Sequence, residues 1–514
     1  MAHLGFYLLS DFQDNLALMT CTKNIIKHIR TIHRFLFLFA IFGFLSLTSV
    51  HAAPSARPNL VIILIDDMGY GDIHPFGSQL NRTPNLDRMA QEGIKMTSFY
   101  GAPVCTPSRA QMLTGCYANR VSLPRVLAPA SPIGLNPAEH TIADLLKAQG
   151  YATMAIGKWH VGDQPEFFPT QHGFDHFYGL PYSNDMGAHT NAAGKVLDYP
   201  PLPLLQDKNV IEAPVDQDTL TARYTDQAVK FITDNRDHPF FLYLAHTAVH
   251  IPLHPGVAFK GKSRNGLYGD WVEEVDWSVG RVLETLKQLN LDSNTLVLFT
   301  SDNGPWLVQP KNGGIAGPLR GGKATTWEGG MREPTIARWP GKIPTNATCD
   351  AVASEMDVLP TFVKLAGGEV PTDRKIDGLD IWPVLSGQSQ TSPHQALYYF
   401  YSTIGLQAVR SGPWKLAIYP QGTGRGFGAA APATFDKPRL YNLDDDIGER
   451  TNVASQHPEV VARLQDLVRQ MDNDLGRTGN GPGVRPPGRV THPQFLLKGV
   501  SQEYIDMEYD LVDQ

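Results

Sequence analysis

The chain has 514 residues, with 44 Lys and Arg against 51 Asp and Glu and a formal net charge of −7 at neutral pH, a balance that excludes a nucleic-acid coat. At 42% hydrophobic and 18% charged residues it stands far from disordered, collagenous or disulfide-dense compositions, so its bulk folds around a core. Four cysteines, Cys21, Cys105, Cys116 and Cys349, are too few and too scattered for a disulfide framework or a four-thiolate zinc site.

From the N-terminus, Lys23, Lys27, Arg30 and Arg34 precede the apolar run Phe35 to Val50, which closes on His51, Ala52 and a stretch rich in Pro, Ser and Arg. The run is about 16 residues, short against the ~20 that a membrane-spanning helix needs. Residues 1–52 therefore read as a signal peptide, with a retained anchor as the alternative. The mature protein is expected to be secreted, periplasmic or in a lysosome-like compartment, without a stable membrane span.

Leu60 to Ile65 is a continuous apolar run, the pattern of a strand buried on both faces. Further strands are predicted over Ala152 to Ile156, Phe240 to Ala245 and Leu296 to Thr300. They alternate with helices over Thr141 to Gln149, Thr221 to Arg236 and Trp271 to Leu289. That alternation predicts an α/β fold, a large mixed, mostly parallel sheet flanked by helices, over residues 57–387. Beyond Gly387 come aromatic strands, Leu397 to Tyr401 and Leu416 to Tyr419, a Gly/Ala/Pro loop from Gln421 to Pro432, and a helix from Pro458 to Leu475. These predict a smaller α+β domain over 388–475, followed by an extended segment over 476–514 that begins rich in Gly, Pro and Arg.

Ligands of open α/β sheets bind beyond the carboxyl ends of the strands. Asp66 and Asp67 follow the first predicted strand, Lys158 and His160 the second, His246 and His250 the third, Asp302 and Asn303 the fourth. A single strand-terminal Asp is commonly a helix cap or turn former, but four strand ends with such side chains are not explained by capping. Asp66, Asp67, Asp302 and Asn303 offer only oxygen, which suits a hard cation such as Ca²⁺ or Mg²⁺. Arg109, Lys158, Lys323, His160 and His250 add an anion to hold and a proton to move. Cation and basic cluster together point to a sulfate or phosphate ester.

The most specific segment is Cys105-Thr106-Pro107-Ser108-Arg109, continuing through Leu113-Thr114-Gly115. C-x-P-S-R-x-x-x-L-T-G resembles the modification signature of the sulfatase family. Gly150 to His160 resembles a second signature of that family, Gly322 to Pro334 a third, and Ala408 to Leu416 with Leu440 to Leu443 its second domain. The resemblance covers roughly residues 57–475 and is nearest to the arylsulfatase A and N-acetylgalactosamine-6-sulfatase group.

It implies an alkaline-phosphatase-like fold and hydrolysis of aryl or carbohydrate sulfate monoesters. It also implies oxidation of Cys105 to Cα-formylglycine by a maturation enzyme. One hydroxyl of the aldehyde hydrate would attack sulfur and the other would later lose its proton to expel sulfate. By matching positions, Asp66, Asp67, Asp302 and Asn303 would hold Ca²⁺ with the modified Cys105. Arg109 would hold the hydrate, Lys158 and Lys323 would neutralise the sulfate, and His250 would bond or protonate the leaving oxygen. His160 would be the base that collapses the sulfated hydrate, and Ser183 would lie near the sulfate.

Two other readings compete. A phosphoryl hydrolase of the related fold would carry Ser or Thr at position 105, and a calcium-dependent glycan-binding protein would not need the basic set. His246 reads as structural, and so, more simply, do His172, His176 and His189. Cys116 and Cys349 are free to pair after export, and Asn346-Ala347-Thr348 fits a glycosylation acceptor.

Overall fold

The computed structural model of the chain describes residues 57–187, 189–190, 196–197, 199–309, 311–422 and 437–497. The expected signal peptide, Cys21, most of the loop Gln421 to Pro432, the side chain of His189 and the end of the C-terminal segment lie outside the described residues.

The described residues form one compact unit. Its strands and helices are, in chain order, β1 (Asn59–Ile65), α1 (Pro84–Gln91), β2 (Ile94–Tyr100), α2 (Cys105–Thr114), α3 (Ile142–Ala148) and β3 (Ala152–Lys158). Then follow β4 (His176–Leu180), β5 (Leu204–Gln206), β6 (Asn209–Glu212), α4 (Leu220–Asp234), β7 (Phe240–Ala245), α5 (Gly266–Gln288) and β8 (Thr295–Ser301). The chain continues through β9 (Arg332–Arg338), β10 (Ala347–Cys349), β11 (Ala353–Ser354) and α6 (Val358–Leu365). It ends in β12 (Leu397–Tyr401), β13 (Gly405–Ser411), β14 (Trp414–Ala417), β15 (Arg439–Asn442) and α7 (Pro458–Leu475).

The large sheet runs in the order β10-β2-β9-β8-β1-β7-β3-β4-β5-β6, with β11 also on β2. Its centre, β8-β1-β7-β3-β4, is parallel, and antiparallel pairs flank it at β8-β9 and β4-β5. The pleat explains why the central strands are apolar throughout. Leu60, Ile62 and Leu64 of β1 face one cluster with Met112, Leu113, Ile142, Leu146 and Phe362. Val61, Ile63 and Ile65 face the other, with Leu86, Met89, Tyr224, Trp271 and Val275. Helices therefore cover both faces, which is the expected α/β arrangement.

The second sheet is antiparallel, in the order β12-β13-β14-β15. Val409, Leu416 and Leu440 on one face pack on Leu464 and Leu467 of α7. Tyr399, Ala408, Ala417 and Tyr441 on the other pack with Tyr100, Trp327 and Met331 of the larger part. Between the two sheets Lys415 is fully buried, 3.0 Å from Glu328 and 2.8 Å from Glu449. Past α7 the described chain runs without long elements, although Gly488–Arg489 pairs antiparallel with Ile133–Gly134.

Candidate active site

β1 delivers Asp66 at its carboxyl end and the chain turns at once, because Asp67 takes a left-handed φ of 64°. In a continuing strand, neighbours point to opposite faces. The turn instead lets both carboxylates converge, and ligand atoms of Asp66, Asp67, Cys105 and His250 all lie within 4.8 Å of one another. Cys105 is the first residue of α2, a helix buried along its whole length. Its Sγ lies 3.5 Å from Asp66 Oδ1 and 3.5 Å from Lys323 Nζ.

β3 brings Lys158. Gly157 has φ of 99° and a Cβ there would collide with the Ala245 carbonyl, so only glycine lets β3 and β7 approach just before the lysine. Lys158 Nζ donates to Asp66 Oδ2 at 2.6 Å and to Ser183 Oγ at 3.1 Å. Lys323 Nζ sits 2.7 Å from Asp67 Oδ1. Past β7, His250 Nδ1 donates to the Ile251 carbonyl at 2.6 Å, which leaves Nε2 facing Asp67 Oδ2 at 3.6 Å.

β8 ends at Asp302 and Asn303. Arg109 grips Asp302 Oδ2 through Nε at 3.1 Å and Nη2 at 2.9 Å, donates to the Lys158 carbonyl at 2.6 Å, and stands 3.8 Å from Asp66. Arg109 thus forms a fork on Asp302 while lying close enough to Cys105 for their charges to interact. Asn303 Nδ2 donates to Asp67 Oδ1 at 2.7 Å, while Asn303 Oδ1 is buried without a partner. A buried, unpaired oxygen beside converging carboxylates is what a hard cation would satisfy.

His160 is held at one remove. Its Nε2 meets the Leu127 carbonyl at 3.0 Å, its backbone carbonyl accepts from Thr106, and its Nδ1 is buried without a partner.

The charges of the cluster are mutually set. Burial pushes the Asp66 carboxyl up, but Lys158, His250, Arg109 and Lys323 together hold it well below the carboxylate range. Burial and the Asp66 charge push Asp302 up. Burial opposes the charges of Lys158 and Lys323, yet Asp66 and Asp67 respectively outweigh it and raise both. Burial, with the nearby Lys158 for His160 and Lys323 for His250, lowers both histidines. Burial, reinforced by Asp66, drives the Cys105 thiol far up, so unmodified it is a protonated thiol and a poor nucleophile.

Of the sequence-predicted set, Asp66, Asp67, Cys105, Lys158, Ser183, His250, Asp302, Asn303, Lys323 and Arg109 are joined by these contacts, and His160 borders them. His246 is fully buried on Ser278, with burial pushing it down to about 3, and His172 is likewise pushed down to about 4. Both belong to packing. Cys116 and Cys349 are buried and unpaired. The residue that sequence reasoning missed is Trp306, whose ring lies 5.3 Å from that of His250 and 4.6 Å from Lys323 Nζ. The residue itself carried no signal, but it lies in the loop from Pro305 to Pro318, one of the two Pro/Gly-rich stretches, with Asp163 to Pro214, in which the sequence places discrimination among sulfate esters.

Residues 58–368 match the sulfatase family model, and residues 392–481 match the C-terminal region of aryl-sulfatase. The chain is similar to arylsulfatase A of Bos taurus, 40% identical over 82% of this chain and 88% of that protein. It is also similar to N-acetylgalactosamine-6-sulfatase of Mus musculus, 38% identical over 81% and 86%. Among solved structures, the PsFucS1 sulfatase from Pseudoalteromonas sp. superposes with a TM-score of 0.78 at 29% identity, over 86% of this chain and 94% of that one. The phosphonate monoester hydrolase of Silicibacter pomeroyi, at 19% identity and a TM-score of 0.59, shares the alkaline-phosphatase-like fold.

Proposed function

The chain belongs to the sulfatase family of sulfuric ester hydrolases, and on that premise we propose that it hydrolyses aryl or carbohydrate sulfate monoesters with formylglycine at position 105 and Ca²⁺ beside it. The observation that carries this reading is Cys105 itself, the first residue of a buried helix with Asp66 and Lys323 each 3.5 Å from its sulfur. Such a thiol, driven far up by burial, gains a use at this place only once converted to an oxygen nucleophile.

Asp66, Asp67, Asp302 and Asn303 would hold the cation, the free Asn303 Oδ1 and the converging carboxylates fitting a hard ion. When bound, that cation supplies Lewis-acid stabilisation of charge on sulfate and on the nucleophilic oxygen. Lys158, fixed on Asp66 and Ser183, and Lys323, fixed on Asp67, balance the ester's charge as it moves to the leaving oxygen. His250 presents Nε2 toward the same place. With Nδ1–H committed to the Ile251 carbonyl, Nε2 carries a proton for the leaving oxygen only in the imidazolium form. His160 Nδ1 is the unpartnered nitrogen available to take a proton from the sulfated hydrate. Arg109 would hold the hydrate at residue 105, itself placed by its bonds to Asp302 and the Lys158 carbonyl.

The signal peptide and a non-cytosolic location remain part of the proposal. Among the described residues no helix is long and apolar enough to cross a membrane. The test is sulfate release from aryl and sugar sulfates by protein made in a host with the maturation enzyme, beside Cys105→Ala. Turnover abolished by Cys105→Ala is expected. Turnover that survives it overturns the reading of residue 105, and phosphate esters cleaved faster than sulfate esters overturn it in favour of a phosphohydrolase.

A further inference from the structure

Trp306 stands where the proposed chemistry meets solvent. It touches the two side chains assigned to the leaving side of the ester: its ring is 5.3 Å from the His250 ring and Lys323 Nζ lies 4.6 Å from its centroid. The loop that carries it is pinned. Lys323 N donates to the Pro305 carbonyl at 2.9 Å, Gln309 N donates to the Trp306 carbonyl at 2.9 Å, and Leu307 packs so closely over Gly322 that a Cβ there would lie 2.9 Å from Leu307 Cγ. Trp306 is half-buried with its indole Nε1 turned inward, so its ring offers hydrocarbon to solvent. Leu307, 38% exposed, continues that apolar surface along the rim.

A cluster of charges built for a sulfate needs no large aromatic ring at its edge. The ring's quadrupole favours Lys323 in its charged form, but a carboxylate would serve that end as well without exposing carbon. What a rigid aromatic adds is area complementary to a flat apolar surface, at little entropic cost. We propose that Trp306 is a specificity-determining residue: its indole packs against the flat, apolar face of the ester's alcohol portion, an aryl ring or the C–H face of a pyranose, and so aligns the bridging oxygen with His250 Nε2. This rests on the sulfate-ester reading above.

The test compares wild type, Trp306→Ala and Trp306→Phe, all matured at residue 105, on 4-nitrophenyl sulfate, galactose 6-sulfate and ethyl sulfate, whose alcohol has no flat face. Trp306→Ala is expected to raise KM by about ten-fold on the flat substrates. On ethyl sulfate KM shifts by less than about two-fold, and Trp306→Phe restores most of the loss. The flat ester that responds more strongly identifies the face that is read. Equal KM shifts on all three substrates, or a fall in kcat with KM unchanged, would show that Trp306 serves only to place Lys323 and His250, and overturn the proposal. Calorimetric binding of the same esters to Cys105→Ala and to Cys105→Ala with Trp306→Ala separates the two claims. Absent turnover with tryptophan-dependent binding defeats the sulfatase reading alone, and tryptophan-independent binding defeats this one.

Discussion

Lys323 and Asp67 show how a site of this kind is held at the scale of single residues. Lys323 is 2% exposed and 2.7 Å from Asp67, a geometry in which removing one partner strands the other, at a cost of about 3 to 5 kcal/mol. A cation held there, as proposed, would share the Asp67 charge and reduce that cost. Lys323→Ala is therefore expected to melt close to wild type in excess Ca²⁺ and well below it in EDTA, by calorimetry. It is also expected to lose about 10² to 10³ in kcat/KM for sulfate esters, the scale of a lost transition-state charge partner. Wild-type kinetics in this variant would remove Lys323 from the site. The acids and bases at the strand ends were legible in the sequence because they follow apolar runs directly. How they bond was not. The left-handed turn at Asp67 and the fork of Arg109 on Asp302 are facts of the folded structure with no sequence pattern, and so is the contact of Trp306 with His250 and Lys323.

At the scale of elements, the strands read correctly are those with mainly apolar or aromatic runs, β1, β3, β7 and β8 in the parallel centre and β12 in the second sheet. β2 and β9 escaped because Lys95, Arg332, Glu333 and Arg338 interrupt their patterns. Of these charges, that of Arg338 is met by distant partners, Asp292 at 2.7 Å and Glu92 at 2.6 Å. β14 lies two residues earlier than expected because its register is set by pairing with β13 and β15. A charged pair also ties the segment before β12 to the start of α6, where His394 Nε2 lies 2.7 and 2.9 Å from the two oxygens of Asp357. Burial works against the imidazolium, but Asp357 outweighs it and raises His394 above its usual value. The stability this contributes is full below the ordinary histidine value and lost as pH rises through the raised one. His394→Gln is expected to cost about 1.5 to 3 kcal/mol near pH 5.5, the range for a charge-assisted bond, and less near pH 9. An equal deficit at both values in denaturant titrations would mean that the pair is neutral throughout.

For the whole molecule, the second sheet is joined to the first by a buried charge as well as by apolar contact. Lys415 lies between Glu328 and Glu449, and Tyr100 and Tyr399 also donate to Glu328 at 2.6 and 2.9 Å. Lys415→Met keeps the volume but takes the Lys415 charge from buried Glu449 and leaves Glu328 to Arg332, Arg410 and the two tyrosines, so a loss of about 3 to 5 kcal/mol is expected in chemical denaturation. A stability unchanged from wild type would mean that apolar packing alone joins the sheets. Composition foretold both sheets, through the change from aliphatic to aromatic strands, but not this junction, whose members are scattered from Tyr100 to Glu449.

The account as a whole turns on residue 105. Peptide mass spectrometry across that position, on protein secreted by a host with the maturation enzyme and shown to release sulfate, tests it most directly. Formylglycine in place of the cysteine is the predicted result. An intact thiol in protein that turns over sulfate esters fully would contradict it.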